Sequence, residues 1–236
     1  METETKTYQP RVVRGRVKLW VPHNNGEIAF AYPSEGPQIH TNLGREILSK
    51  KQKVPHGDYT ASLLHVAYCS KARNEPEFRY VRALMMNREL GVFNRNGWNE
   101  NGVYVVQDFE AIGKSQPLDV ESLEVMLNGG KEINGVRFSK DNQVRFAPKG
   151  SYKLGVHVES FVKDGFIIAS YGVEGAEKLG EASSKFNYPI IHGIEVEKGQ
   201  EIEQTTVSAV NAADYRFNFN GAITGLATAC HAFGVL

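Results

Sequence analysis

The sequence predicts an α+β fold, a mixed and mostly antiparallel sheet with four or more helices. Three observations carry this. Alternating apolar and polar residues flank turn-forming segments at 16–32 and 136–147, which predicts two hairpins. Apolar residues recur at helical spacing in several separate segments. Residues 165–197 read as strand, helix, strand, a βαβ unit with the parallel strands such a crossover joins.

Residues 1–10 are polar and predict a flexible tail. Val17, Leu19 and Val21 then alternate with Arg16, Lys18 and Trp20. His23-Asn24-Asn25-Gly26 turns the chain, and Ile28, Phe30 and Tyr32 alternate back. Thr41 or Asn42 can cap a short helix carrying Leu43, Ile47 and Leu48. Asp58 or Thr60 can cap a second, with Leu63, Leu64, Ala67 and Tyr68 as its stripe. Pro76 suits the first turn of a third, which carries Phe78, Val81, Leu84, Met85 and Leu90 and can end at Gly91.

Residues 93–101 hold four asparagines, Arg95 and Trp98, and read as a loop ahead of a strand at 103–107. A helix follows from Asp119 to Leu127. Val136-Arg137-Phe138 and Val144-Arg145-Phe146 echo each other across a polar turn, and Asn134-Gly135 can add a strand before them. Thr205 to Val210 and the alternation Tyr215, Phe217, Phe219 give two further strands, Asn220-Gly221 is expected to turn the chain, and the tail 221–236 fits helix or strand. The expectation is one globular domain over 11–236, with a possible two-lobe division near 148–156.

With 41% apolar and 23% charged residues, the 236-residue chain has the composition of a globular protein rather than a disordered one. Net charge is zero, with nine basic against five acidic residues over 1–53 and four against nine over 159–203. That balance argues against non-specific phosphate binding as the main function. Two cysteines do not make a disulfide scaffold. The N-terminal residues lack an apolar signal-like run, and no apolar stretch reaches the ~20 residues of a membrane span. A soluble, cytoplasmic protein is the resulting expectation.

His56, Asp58, His65 and Cys69 fall within fourteen residues, and the last two share a helix face. They could serve acid–base, nucleophilic or metal chemistry, with Cys230 and His231 completing a four-ligand set in space. No metal-binding spacing such as CxxC or HExxH accompanies them, so the chain is expected to be metal-free, and no cofactor is implied. Asp108 and Glu110 would share a strand face and could act as an acid–base pair. Ser170 to Gly175 reads as the turn from strand to helix. Its acids Glu174 and Glu177 suit the helix dipole and would repel an anion there.

His56-Gly57 and Gly102-Val103-Tyr104-Val105 resemble two short elements of the His-Tyr-Glu class of ADP-ribosyltransferases. The likeness spans six residues. Lys50 to Pro55 is not a core strand leading to the His-Gly, and no glutamate is placed for the third role, so the match is read as coincidence.

Asn94, Arg95, Asn96 and Trp98 are the expected ligand-binding residues, an aromatic and a forked cation among amides. The reading ahead is a small-molecule-binding protein or enzyme with a pocket near 93–110. A non-catalytic protein-interaction module is the alternative. RNA binding through Arg11, Arg14, Arg16, Lys18 and Trp20 is weaker, since a charged strand face is more often an exposed sheet edge.

Overall fold

A computed structural model describes residues 11–13, 18–157, 161–200, 205–224 and 229–236. The expected tail 1–10 lies outside them, as do Arg14, Arg16 and Val17 of the basic strand.

The chain opens with β1 (Arg11–Val13), β2 (Lys18–His23) and β3 (Gly26–Ala31), an antiparallel three-stranded sheet. Leu19 pairs with Phe30 and His23 with Gly26, so Asn24 and Asn25 make the two-residue turn, Asn24 at φ 49°. Next come β4 (Glu35–Gln38), α1 (His40–Ser49), α2 (Gly57–Cys69), α3 (Pro76–Asn87), β5 (Glu89–Asn99) and β6 (Gly102–Gln107). They are followed by α4 (Val120–Leu127), β7 (Lys131–Ile133), β8 (Val136–Phe138), β9 (Val144–Pro148) and β10 (Gly155–Val156). The last elements are α5 (Gly165–Ser183), β11 (Tyr188–His192), β12 (Thr205–Asn211), β13 (Arg216–Ile223) and β14 (Cys230–Ala232). This is the expected α+β class, with the 136–147 hairpin in place: Arg137 pairs with Phe146 and Phe138 with Arg145. Asn134 and Gly135, both at positive φ, turn β7 into β8 as the Asn-Gly pair predicts.

The main sheet runs β10-β11-β13-β12-β5-β6-β9-β8-β7, with β14 against β5 and β4 beside β14. Pairing is antiparallel except for β11 with β13 and β14 with β5. Side chains of β5 and β6 alternate between two apolar layers. Leu90, Val92, Trp98, Val103 and Val105 join the core of α2, α3 and α5. Phe93 faces the other way, with Leu43 and Ile47 of α1. Tyr104 packs with Leu123 and Leu127 of α4.

Two sequence expectations are corrected. The first strand of the 165–197 βαβ unit does not exist: Phe166 to Ala169 lies in α5. A short continuous apolar run cannot by its pattern be told from a buried helix. Here Asp164 decides, its carboxylate accepting the Phe166 and Ile167 N–H groups at 3.0 and 3.2 Å. The helix then breaks at Gly172 (φ 73°, ψ 169°) and resumes. The second correction is that the Asn-rich segment is no loop; residues 93–99 are part of β5, which also takes in Leu90 and Gly91, so the third helix ends at Asn87 and not at Gly91. Glycine is also required where α2 meets α5, since a Cβ on Gly57 would stand 1.8 Å from the Ser170 carbonyl oxygen.

Among the described residues no helix is long and apolar enough to cross a membrane. Cys69 and Cys230 are free thiols.

Candidate functional site

The four expected ligand-binding residues are buried and engaged within the protein. Asn94 donates to the Ser170 carbonyl at 2.8 Å. Asn96 donates to Ser208 Oγ and the Gly221 carbonyl, both at 2.9 Å. Trp98 Nε1 reaches the same carbonyl at 3.1 Å, and Thr206 Oγ1 donates to it at 2.6 Å. The cause is an irregular ladder: β12 slips register against both β5 and β13 near Val207. A bulge leaves backbone groups unpaired, and here side-chain donors converge on the Gly221 carbonyl. Arg95 lies on the opposite face, Nε donating to the Gly113 carbonyl at 2.7 Å and the guanidinium also to Gln116.

Asp108 and Glu110 do not form a pair. β6 ends at Gln107, and the buried Asp108 carboxylate accepts the Ile112 and Gly113 N–H groups at 2.9 and 2.7 Å, tying down the next loop. Glu110 is exposed beyond it. His56 is not on a strand but is the residue before α2, its ring 3.9 Å from Tyr59 and 5.4 Å from Phe109. Burial pushes its pKa down to about 4, so the ring is neutral near pH 7.

The first turns of α2, the end of β2, the β8–β9 turn and the α5 break surround a cleft of about 230 Å³. Asp58 and Arg145 form a bidentate pair there at 2.8 and 2.7 Å. Arg145 also donates to the Ala169 and Asn142 carbonyls at 3.1 and 3.2 Å, so it is fixed from several sides. Burial alone would raise the Asp58 pKa, but the charge and hydrogen bonds of Arg145 hold it below the ordinary value. Gly172 closes over this pair, since a Cβ there would meet Asp58 Oδ1 at 3.3 Å.

Across the cleft, Ser62 Oγ receives Lys178 Nζ at 2.9 Å and lies 3.0 Å from His23 Nδ1. Lys178 is held by Glu174 at 2.6 Å, one turn back on α5, and Glu174 also accepts the Asn24 N–H at 3.1 Å. His23 has its pKa lowered, first by burial and then by Lys178, so the ring is neutral near pH 7; Asn24 Nδ2 donates to its Nε2 at 3.1 Å, which leaves Nδ1 as the donor to Ser62, and the Ser62 hydroxyl itself donates to the Asp58 carbonyl at 3.3 Å. Of the sequence candidates only Asp58 lines this cleft. His23, Ser62, Arg145 and Lys178 complete it. For Ser62 and Lys178 the sequence signal is helical spacing, since Asp58 and Ser62 are four apart on α2, and Glu174 and Lys178 four apart on α5; His23 and Arg145 lie on strands and carry no such signal.

A second concavity, about 850 Å³, lies between the β5–β6 turn and α4. Trp98, Asn99, Tyr104, Leu118, Val120 and Leu123 line it. Val125 and Met126 on the same helix are exposed.

Neither a known protein family nor a curated protein matches the sequence. A solved structure described as "Accommodation of massive sequence variation in Nanoarchaeota by the C-type lectin fold" is similar to this chain, covering 86% of it and 98% of its own length at 14% identity and a TM-score of 0.48. At that similarity no site residue is carried over.

Proposed function

We propose that the protein binds a small polar ligand in the cleft at the α5 break, and that residues 11–236 fold as one unit around it. The observation that carries this reading is the convergence of His23, Asp58, Ser62, Arg145, Glu174 and Lys178 on one concavity. Clefts that gather a few placed polar and charged groups are the usual sites of ligand recognition. Carboxylates and cations alternate around it, which suits a ligand carrying both charges, a zwitterion of amino-acid size. Ser62 accepts from Lys178 and donates to the Asp58 carbonyl, so no base is placed to activate its hydroxyl. Ser62 is also only 1% exposed, and binding without covalent chemistry is the function these groups support.

Calorimetric titration against zwitterionic, anionic and cationic metabolites tests this. Zwitterions should bind, and Lys178→Met or Glu174→Gln should abolish binding while each variant still unfolds cooperatively. Ligands retained by both variants would refute the assignment.

A second reading is favoured by the larger concavity. Its apolar wall and the exposed Val120, Val125 and Met126 fit a protein partner. Trp98 would then form the floor of that surface rather than its anchor.

A further inference from the structure

α2 and α5 lie side by side, and their facing polar edges keep step. Asp58, Ser62, His65 and Cys69 follow each other along α2 at helical spacing, as Glu174, Lys178 and Glu181 do along α5. The upper part of this seam belongs to the cleft. The lower part holds a different chemistry.

His65 Nε2 lies 2.8 Å from Glu181 Oε2, and with Cys69 Sγ the three ligand atoms all fall within 4.8 Å of one another. His65 and Cys69 are half-buried, and Glu181 is exposed at the rim. Cys230 and His231 do not join them: Cys230 is in the α1 core with Leu43 and Phe93.

We propose that His65, Cys69 and Glu181 form a binding site for a divalent transition metal of the zinc type. Imidazole, thiolate and carboxylate together are the donor set of Zn²⁺, whereas Mg²⁺ and Ca²⁺ take oxygen ligands. Tetrahedral bonds of about 2.0–2.3 Å place ligand atoms roughly 3.5 Å apart. Closing to that geometry needs only a small spreading of His65 from Glu181 and an approach by Cys69. The exposed Glu181 side chain can supply the movement. One cysteinate and one carboxylate neutralise a dication, and water completes the coordination.

The alternative is a Cys–His nucleophile. Burial raises the Cys69 thiol above its ordinary value, the opposite of what a reactive thiolate needs. A metal removes that obstacle by displacing the thiol proton directly. Lys185 and Arg73 also act on Cys69 and compete with a dication. The affinity should therefore be lower than that of a four-ligand structural site, and binding should release protons.

The test is Co²⁺ titration of the full chain after chelation. One Co²⁺ per chain should bind with thiolate-to-cobalt charge-transfer absorption, and Zn²⁺ should displace it. Cys69→Ser should remove the absorption. Glu181→Gln, a change at an exposed side chain, should weaken Zn²⁺ binding by about tenfold or more. Cys230→Ser should leave both intact. Bound Zn²⁺ should also protect Cys69 from alkylation. Absence of the charge-transfer band, its persistence in Cys69→Ser, or Zn²⁺ affinity unchanged in Glu181→Gln would overturn the proposal.

Discussion

At the residue scale, the side chains that look most like a ligand site in the sequence are those that hold the sheet together. Asparagine at 94, 96 and 99 suggests a loop because the residue tolerates turn conformations. Here the Asn96 amide and the Trp98 indole serve an irregular β12 ladder, and the Gly221 carbonyl they serve is distant in sequence, while Asn94 ties β5 to the Ser170 carbonyl of α5. No local pattern announces that. Trp98 is 1% exposed among Tyr152 and Phe166, so Trp98→Ala should destabilise by about 3–5 kcal/mol in denaturant titration. A loss below about 0.5 kcal/mol would restore it as a surface group.

His56 gives a second residue-scale expectation. Its folded pKa is about 4 against an ordinary 6.5, through burial. The unfolded chain takes up a proton that the folded one refuses, so stability is full above pH 6.5 and falls as pH drops towards 4. The linkage amounts to at most about 3 kcal/mol. His40, fully enclosed, shifts the same way for the same reason. Urea midpoints should therefore decline across this window, and His56→Gln should make the decline shallower. An unchanged slope would contradict a neutral buried ring.

At the element scale, hairpins were legible and the buried helix was not. Asn24, Asn134 and Gly135 specify turns through positive φ, a local property that needs no knowledge of the core. Residues 166–169 are apolar on every side because α5 is enclosed there, which erases the periodicity that distinguishes helix from strand. The usable signal was Asp164, whose carboxylate caps the helix and also accepts the Lys153 N–H at 2.9 Å. Asp164→Ala should cost about 1–2 kcal/mol in equilibrium unfolding. A neutral effect would mean that packing alone positions α5.

At the scale of the whole molecule, the site is a product of topology. α2 and α5 are separated by most of the sheet in sequence, yet Gly57 against Ser170 brings their polar edges into register. The β8–β9 turn then delivers Arg145 to Asp58 across 87 residues. Spacing along one helix could suggest half of each cluster, Asp58 with Ser62 or His65 with Cys69, but not its partner. The largest core cluster runs from Leu19 to Val235, which favours one cooperative unit. Calorimetric and van't Hoff enthalpies should then agree, whereas two resolved transitions would support a division near 148–156.

Ligand recognition where α5 breaks can be read out by backbone amide NMR of the labelled protein, titrated with the tightest-binding zwitterion. Shift changes are expected at Asn24, Asp58, Ser62, Gly172 and Lys178. Changes gathered instead at Tyr104, Leu118 and Leu123, with the α5 break unmoved, would contradict it.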